Sequence, residues 1–145
     1  IVVLVGGPNG AGKTATAPFL IRDLLNIKTY VNADLIADGL AGFSADQMGL
    51  KAGRIMLERL RELGQKGVSF AFETTLAGNN FASFLDELKS EQNYHTHIMF
   101  LWLRSSDQAI SRVRDRVNRG GHDIPEKVIK RRYERGIKNF RKIPS

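Results

Sequence analysis

The sequence predicts an α/β fold, a parallel sheet with helices on both faces, and three observations carry that prediction. Short apolar runs alternate along the chain with longer stretches whose apolar residues recur at helical spacing. The first run, Ile1 to Val5, passes directly into a glycine-rich turn and then a helix, the opening of a β-α-β unit. No internal repeat, low-complexity segment or long linker interrupts the alternation. Right-handed crossovers would join the parallel strands. Residues 1–145 are expected to form one domain, large enough to bury a real core.

Residues 1–5 read as a fully buried strand. Residues 12–25 continue as a helix with Phe19, Leu20, Leu24 and Leu25 as its apolar stripe, and Pro18, which brings no N–H, predicts a kink or a loosened turn. Residues 28–32 form a short second strand. A long helix spans 44–65, with Ser44 as N-cap, an apolar stripe running from Met48 to Leu63, and Gly64 and Gly67 at its end. The third strand is 68–72, followed at once by Glu73 and Thr74. Residues 80–92 are a helix with Phe81, Phe84, Leu85 and Leu88 facing in. The fourth strand, 97–103, is nearly all apolar, which argues for a central place in the sheet. A helix at 106–119 buries Ile110, Val113 and Val117. Arg119-Gly120-Gly121 breaks the pattern, and a last helix follows with Asp123 as cap, Pro125 in its first turn and Glu126 in the capping-box position.

The turn after the first strand, Gly7-Pro8-Asn9-Gly10-Ala11-Gly12-Lys13-Thr14, fits G-x-x-x-x-G-K-[ST]. Glycines let the backbone wrap an anion, and successive N–H groups then form a concave donor nest. The helix that follows aims its positive end at the same place. Gly7 through Ala15 are therefore the nucleotide-binding candidates, with Lys13 reaching the β and γ phosphates and the Thr14 hydroxyl a ligand for Mg²⁺. ATP and Mg²⁺ are the expected ligands, and the fold is expected to be of the P-loop NTPase type, with a strand order 2-3-1-4. There is no Asn-Lys-x-Asp element for guanine, and the strand at 97–103 ends in Leu103-Arg104 rather than in a Walker B carboxylate. Both points favour a small kinase over a GTP switch or a motor ATPase.

The absence of cysteine excludes disulfides and a thiol nucleophile and fits a reducing, cytoplasmic setting. No apolar run approaches the roughly 20 residues that span a bilayer, and the N-terminal run is too short for a signal peptide. The chain begins abruptly on a strand and stops at residues 143–145, as an excised domain truncated at its C-terminus would. The net charge of +7 is uneven. Residues 104–145 hold 13 Lys and Arg against 5 Asp and Glu, a net of +8, while residues 1–103 come to −1. Such a basic segment suits either nucleic acid or a lid, about 112–135, that closes over a polyphosphate. Aromatic residues interleave poorly with it, which disfavours a stacking surface for nucleic acid.

Asp34 follows the second strand at the carboxyl end of the sheet, where open α/β folds bind ligands, and is the candidate general base; the competing role is the cap of a short helix. Glu73 ends the third strand, where a carboxylate can bind an acceptor hydroxyl or a metal-bound water, and Thr74 and Thr75 add hydroxyls. Arg119 precedes two glycines and could neutralise charge on a transferring phosphoryl group. Arg112, Arg116, Arg131, Arg132 and Arg135 compete for that role, Arg132 and then Arg116 foremost. The three histidines have no ligand spacing; His122 is a candidate lid contact.

The ordered set GGPNGAGKT, NADLIA, FETTLAG and RVRDRVNRGGHDIPEKVIKRRYERGIKNF resembles the zeta-toxin-like P-loop kinases, over nearly the whole chain. Zeta toxins phosphorylate a sugar hydroxyl of UDP-N-acetylglucosamine with ATP and are neutralised by a small antitoxin. The resemblance implies Asp34 as base, Glu73 as a substrate-binding carboxylate, and Lys13, Arg119 and Arg132 as phosphate stabilisers. The expectation is an ATP- and Mg²⁺-dependent phosphotransferase acting on a small acceptor, a UDP-amino-sugar first, with an antitoxin as protein partner. The alternatives are a kinase for another acceptor (a nucleic-acid end, a small alcohol or an antibiotic) and an ATP-dependent binding module without catalysis.

Overall fold

A computed structural model describes residues 1–40, 45–121 and 123–143. Four parallel strands, β1 (Val2–Gly6), β2 (Tyr30–Asn32), β3 (Phe70–Thr74) and β4 (Thr96–Phe100), form one sheet in the order β2-β3-β1-β4. This is the expected order. The helices are α1 (Lys13–Phe19), α2 (Ala33–Gly39), α3 (Ala45–Gln65), α4 (Asn80–Gln92), α5 (Ser106–Asn118) and α6 (Glu126–Phe140).

Successive strand residues face opposite sides, and β1 shows both sides buried. Val2 and Leu4 join Phe70, Phe72, Met56, Leu60, Phe84 and Leu88 in a core under α3 and α4. Val3 and Val5 pack with Ala17, Ile21, Ile27 and Ala71 on the other face, under α1. A third cluster, Leu103, Ala109, Val113, Ile124 and Ile129, belongs to the α5–α6 pair.

Four expectations are corrected. β4 is an edge strand and ends at Phe100, because Leu103 leaves the sheet to enter the α5–α6 cluster. Its outer edge carries no Lys, Arg or Pro. The inward residues of α1 and its continuation are Lys13, Ala17 and Ile21, spaced by four, while Phe19, Leu24 and Leu25 are exposed. Pro18 does loosen the helix. Residues Leu20–Leu24 form a π-helical turn closed by the Leu25 N–H on the Leu20 carbonyl. The capping box before α6 does not form. Pro125 is the N-cap, without a side-chain bond, and Glu126 pairs instead with Arg114 of α5. The third strand runs two residues further than expected, so Glu73 and Thr74 lie within β3. The proposed Ser44 cap lies outside the described residues, as does His122.

Candidate active site

The P-loop leaves β1 and turns back at the carboxyl end of the sheet. Gly10 and Gly12 have φ of 81° and 85°, which side chains rarely adopt. A Cβ on Gly10 would also stand 2.9 Å from the Arg112 Cβ, so glycine lets α5 close against the loop. Asn9 is buried, and its Oδ1 has no donor among the described residues.

Lys13 opens α1 and is buried. Its ammonium donates to the loop's own Gly7 and Pro8 carbonyls, at 2.8 and 3.1 Å. Burial lowers its pKa, opposed by the negative charges of Glu73 and Asp34 and reinforced by Arg116 and Arg132. The charges of two carboxylates and two guanidinium groups thus act on this one ammonium.

Glu73 is the fixed point of the site. The register puts it beside Val5 of β1 on one side and Asn32 of β2 on the other. Its Oε1 accepts from the Thr14 hydroxyl at 2.9 Å, and its Oε2 accepts from the Tyr30 hydroxyl. Glu73 is only 4 % exposed, so these two bonds are what satisfies the buried carboxylate. Burial first, and the Glu73 carboxylate second, push the Tyr30 phenol far above its ordinary value, so it remains a donor. An acidic residue therefore does close an apolar strand next to the P-loop strand. The signal lies in the run VSFAFE, whose last residue is this carboxylate. Tyr30 was missed altogether, since a tyrosine opening a short strand has no local signature.

Asp34 is exposed in the first turn of α2. The Asn32 side chain, not that of Asp34, caps this helix, accepting from the Asp34 N–H at 2.8 Å. The Asp34 carboxylate is thus released from the capping role that competed with catalysis. Its charge acts on both Lys13 and Arg132. Thr74 is buried, and its Oγ1 accepts from the Leu76 N–H at 3.0 Å, which leaves its hydroxyl hydrogen to donate.

Of the arginines, Arg132 is half-buried, and burial lowers its pKa against the opposing pull of Asp34. Arg119 is exposed at the C-cap of α5, one turn beyond Arg116. Arg116, one of the competitors, is the α5 arginine whose charge reaches Lys13. Two contacts seat α6 on the sheet: Asn139 donates to the Leu76 and Gly78 carbonyls at 2.7 and 3.2 Å, and Gly136 lies so close to the Thr75 carbonyl that a Cβ would collide with it.

The oxygens near Thr14 fit a hard divalent cation. The Thr14 hydroxyl spends its hydrogen on Glu73 and keeps lone pairs for a metal. Among the described residues no three acidic, histidine or cysteine side chains gather to hold a metal by themselves, so phosphate and water would supply the remaining ligands. No helix among them is long and apolar enough to cross a membrane.

No model of a known protein family matches the chain. One curated relative, an uncharacterized protein from Haemophilus influenzae, is 27 % identical over 127 residues, 88 % of each chain. Among solved structures, the RNA repair complex of Pnkp1, Rnl and Hen1 matches with a TM-score of 0.74 and 16 % identity, over 99 % of this chain and 46 % of that one. The PezAT chromosomal toxin–antitoxin system of Streptococcus pneumoniae matches with a TM-score of 0.66 and 18 % identity, over 98 % of this chain and 62 % of that one. The chain thus spans about half to three-fifths of these two structures' lengths. At such identities the likeness is one of fold alone: a four-stranded parallel sheet in the order 2-3-1-4 with a P-loop after β1.

Proposed function

We propose that this protein is a Mg²⁺- and ATP-dependent phosphotransferase acting on a hydroxyl of a small acceptor. The observation that carries the reading is the P-loop itself, with Lys13 buried in it and its Thr14 hydroxyl donating to the buried Glu73 carboxylate at 2.9 Å. The charges of Asp34, Arg116 and Arg132 also act on Lys13, and a kinase needs such a set, cations for the migrating phosphoryl group and carboxylates for the hydroxyl and the metal shell.

In this reading the Lys13 ammonium exchanges its two carbonyl partners for β and γ phosphate oxygens. Glu73, held by Tyr30, keeps the Thr14 hydroxyl turned so that its lone pairs face the phosphates. Mg²⁺, when bound, would be held by the Thr14 hydroxyl together with phosphate and water and would supply charge neutralisation. Asp34 accepts the proton of the acceptor hydroxyl as the new O–P bond forms and the bond to the β-phosphate oxygen breaks, releasing ADP. Arg132 and Arg116 offset charge on the three γ oxygens. The protein contributes positioning and electrostatics, with no covalent intermediate.

The resemblance to zeta toxins makes a UDP-amino-sugar the first acceptor to try and an antitoxin the protein partner to seek, and the likeness to PezAT, a toxin–antitoxin system, bears on the second. Phosphorus NMR of wild type and Asp34→Asn with Mg-ATP and UDP-N-acetylglucosamine tests the reading. A sugar phosphate formed by the wild type and lost in the variant is expected. ATP binding without product rejects that acceptor, and equal turnover by the variant rejects Asp34 as base.

A further inference from the structure

Leu76, three residues past Glu73, has a backbone φ of 58°, a left-handed conformation that bulky side chains rarely adopt. Its N–H donates to the Thr74 hydroxyl oxygen at 3.0 Å, and its carbonyl accepts from the Asn139 side chain of α6 at 2.7 Å. Its side chain is buried against Gly6, the last residue of β1, where a Cβ would stand 2.9 Å from the Leu76 Cδ1. A strained residue persists only where its surroundings hold it, and such residues gather at functional sites. Leu76 is held from three sides, and α6 is one of them. The next residue of α6 reaches the same place. Phe140 stacks on Phe100 with ring centroids 4.3 Å apart, and the Phe100 ring also borders Gly6. Through Leu76 and Phe100, two consecutive residues of α6 are pinned at the junction of β1 and the P-loop.

Arg132, Gly136 and Asn139 are spaced by four and three, which places them on one face of α6. Gly136 has no side chain there, and the helix lies directly on the Thr75 carbonyl. Arg132 projects from this pinned face two turns, about 10 Å, before Asn139. Its guanidinium lies against α3, where a Cβ on Gly49 would be 3.7 Å from Nη2. No ion pair fixes Arg132 among the described residues, so its aim is set by the helix that carries it.

We infer that Asn139 is a positioning residue for the γ-phosphate: by clamping Leu76 it fixes the seat of α6, and through that seat the aim of Arg132. The inference rests on the phosphotransfer reading for the nucleotide as ligand and for Arg132 beside its γ oxygens. Asn139 itself stands away from both and acts through the helix. The residue type suits the task. Both of its bonds, to the Leu76 and Gly78 carbonyls, come from Nδ2. Among short side chains an amide nitrogen alone offers two donors; aspartate offers none and serine one.

The test is a double-mutant cycle read by calorimetry. Wild type, Asn139→Ala, Arg132→Ala and the double variant are titrated with Mg-ADP and with the Mg²⁺ complex of a non-hydrolysable ATP analogue. The ratio of the two affinities isolates the γ-phosphate. Arg132→Ala should lower that ratio by about tenfold, the loss of one hydrogen bond to a charged group. Asn139→Ala should lower it by about threefold or more with ADP affinity unchanged, and the double variant should fall within about twofold of Arg132→Ala alone, because coupled residues do not add. A merely structural role would weaken both nucleotides alike and leave the ratio where it was. An unchanged ratio in Asn139→Ala overturns the inference, as do losses that multiply in the double variant or an Arg132→Ala ratio equal to that of the wild type. Should Asn139→Ala no longer bind ADP, Asn139→Ser, which keeps one donor, decides by the same cycle. A wild type that binds neither nucleotide rejects the phosphotransfer reading and this inference with it, whereas nucleotides bound without coupling reject this inference alone.

Discussion

The P-loop with its flanking strands and the α5–α6 pair meet at one site but are built in opposite ways. The first is a floor set by strand register. β1 is buried on both faces, and Glu73 is fixed between two strands with both carboxylate oxygens satisfied inside the floor. The second is an arm with its own small core, which Tyr133 ties to the Leu103 carbonyl, and an outer surface rich in Arg and Lys; its seams to the floor include Gly10 against Arg112, Phe140 stacked on Phe100, Asn139 on the β3–α4 loop, and Gly136 against Thr75. Shape resides in the floor and positive charge in the arm. Damage to the floor should abolish nucleotide chemistry, whereas damage to the arm should weaken charge neutralisation in a folded protein.

The sharpest test is Lys13→Ala, expected to lower ATP-dependent transfer by about 10³-fold, the upper range for removing one donor to a developing charge. A loss below tenfold would mean the floor does not hold the phosphates. Lys13→Met adds a pH test. Burial lowers the folded pKa below the 10.5 of the unfolded chain. Between those values the unfolded state binds more protons, so stability rises with pH in that window. The variant should lack that increment in its urea midpoints.

Arg132→Ala is expected to cost about 10²-fold in kcat with little change in melting temperature, the mark of an arm residue. Gly136→Ala should destabilise by about 1–3 kcal/mol through overpacking against Thr75, less roughly 1 kcal/mol recovered in helix propensity. An unchanged midpoint would show that this seam is not tight. Tyr30→Phe frees one Glu73 oxygen and should raise the Mg²⁺ concentration for half-maximal activity by about tenfold, as losing a partner of a metal's neighbour does. Arg119→Ala should change transfer less than threefold. A loss equal to that of Arg132→Ala would show that the exposed C-cap of α5 enters the site with ligand bound.

Legibility in the sequence divides along the same line. The floor was readable because its determinants are local: five apolar residues, then Gly10, Gly12, Lys13 and Thr14 at fixed offsets. Parallel pairing follows from alternation and handedness, which act on every β-α-β unit alike, and the strand order from the P-loop. The Tyr30–Glu73 bond joins residues 43 apart, and only the β2–β3 register brings them together. The α1 stripe was misjudged because Pro18 shifts the helix into a π turn, and the apolar residues counted at helical spacing then face outward. The arm's charge was visible at once, but which arginine reaches Lys13 depends on how α5 and α6 seat on the loop. Arg116 and Arg119 are a single turn apart, and spacing alone could not separate them.

The outer margin of β4 has a consequence for how the protein is handled in solution. It offers unpaired backbone groups with none of the lysines or prolines that commonly blunt such margins. For a chain with net charge +7, long-range repulsion would oppose the pairing of two copies there. That repulsion reaches about 10 Å at 0.1 M salt and only about 3 Å at 1 M. Colloidal stability would then rest on the basic helices α5 and α6. Concentrated stocks should stay monodisperse in dilute buffer and cloud as ionic strength climbs.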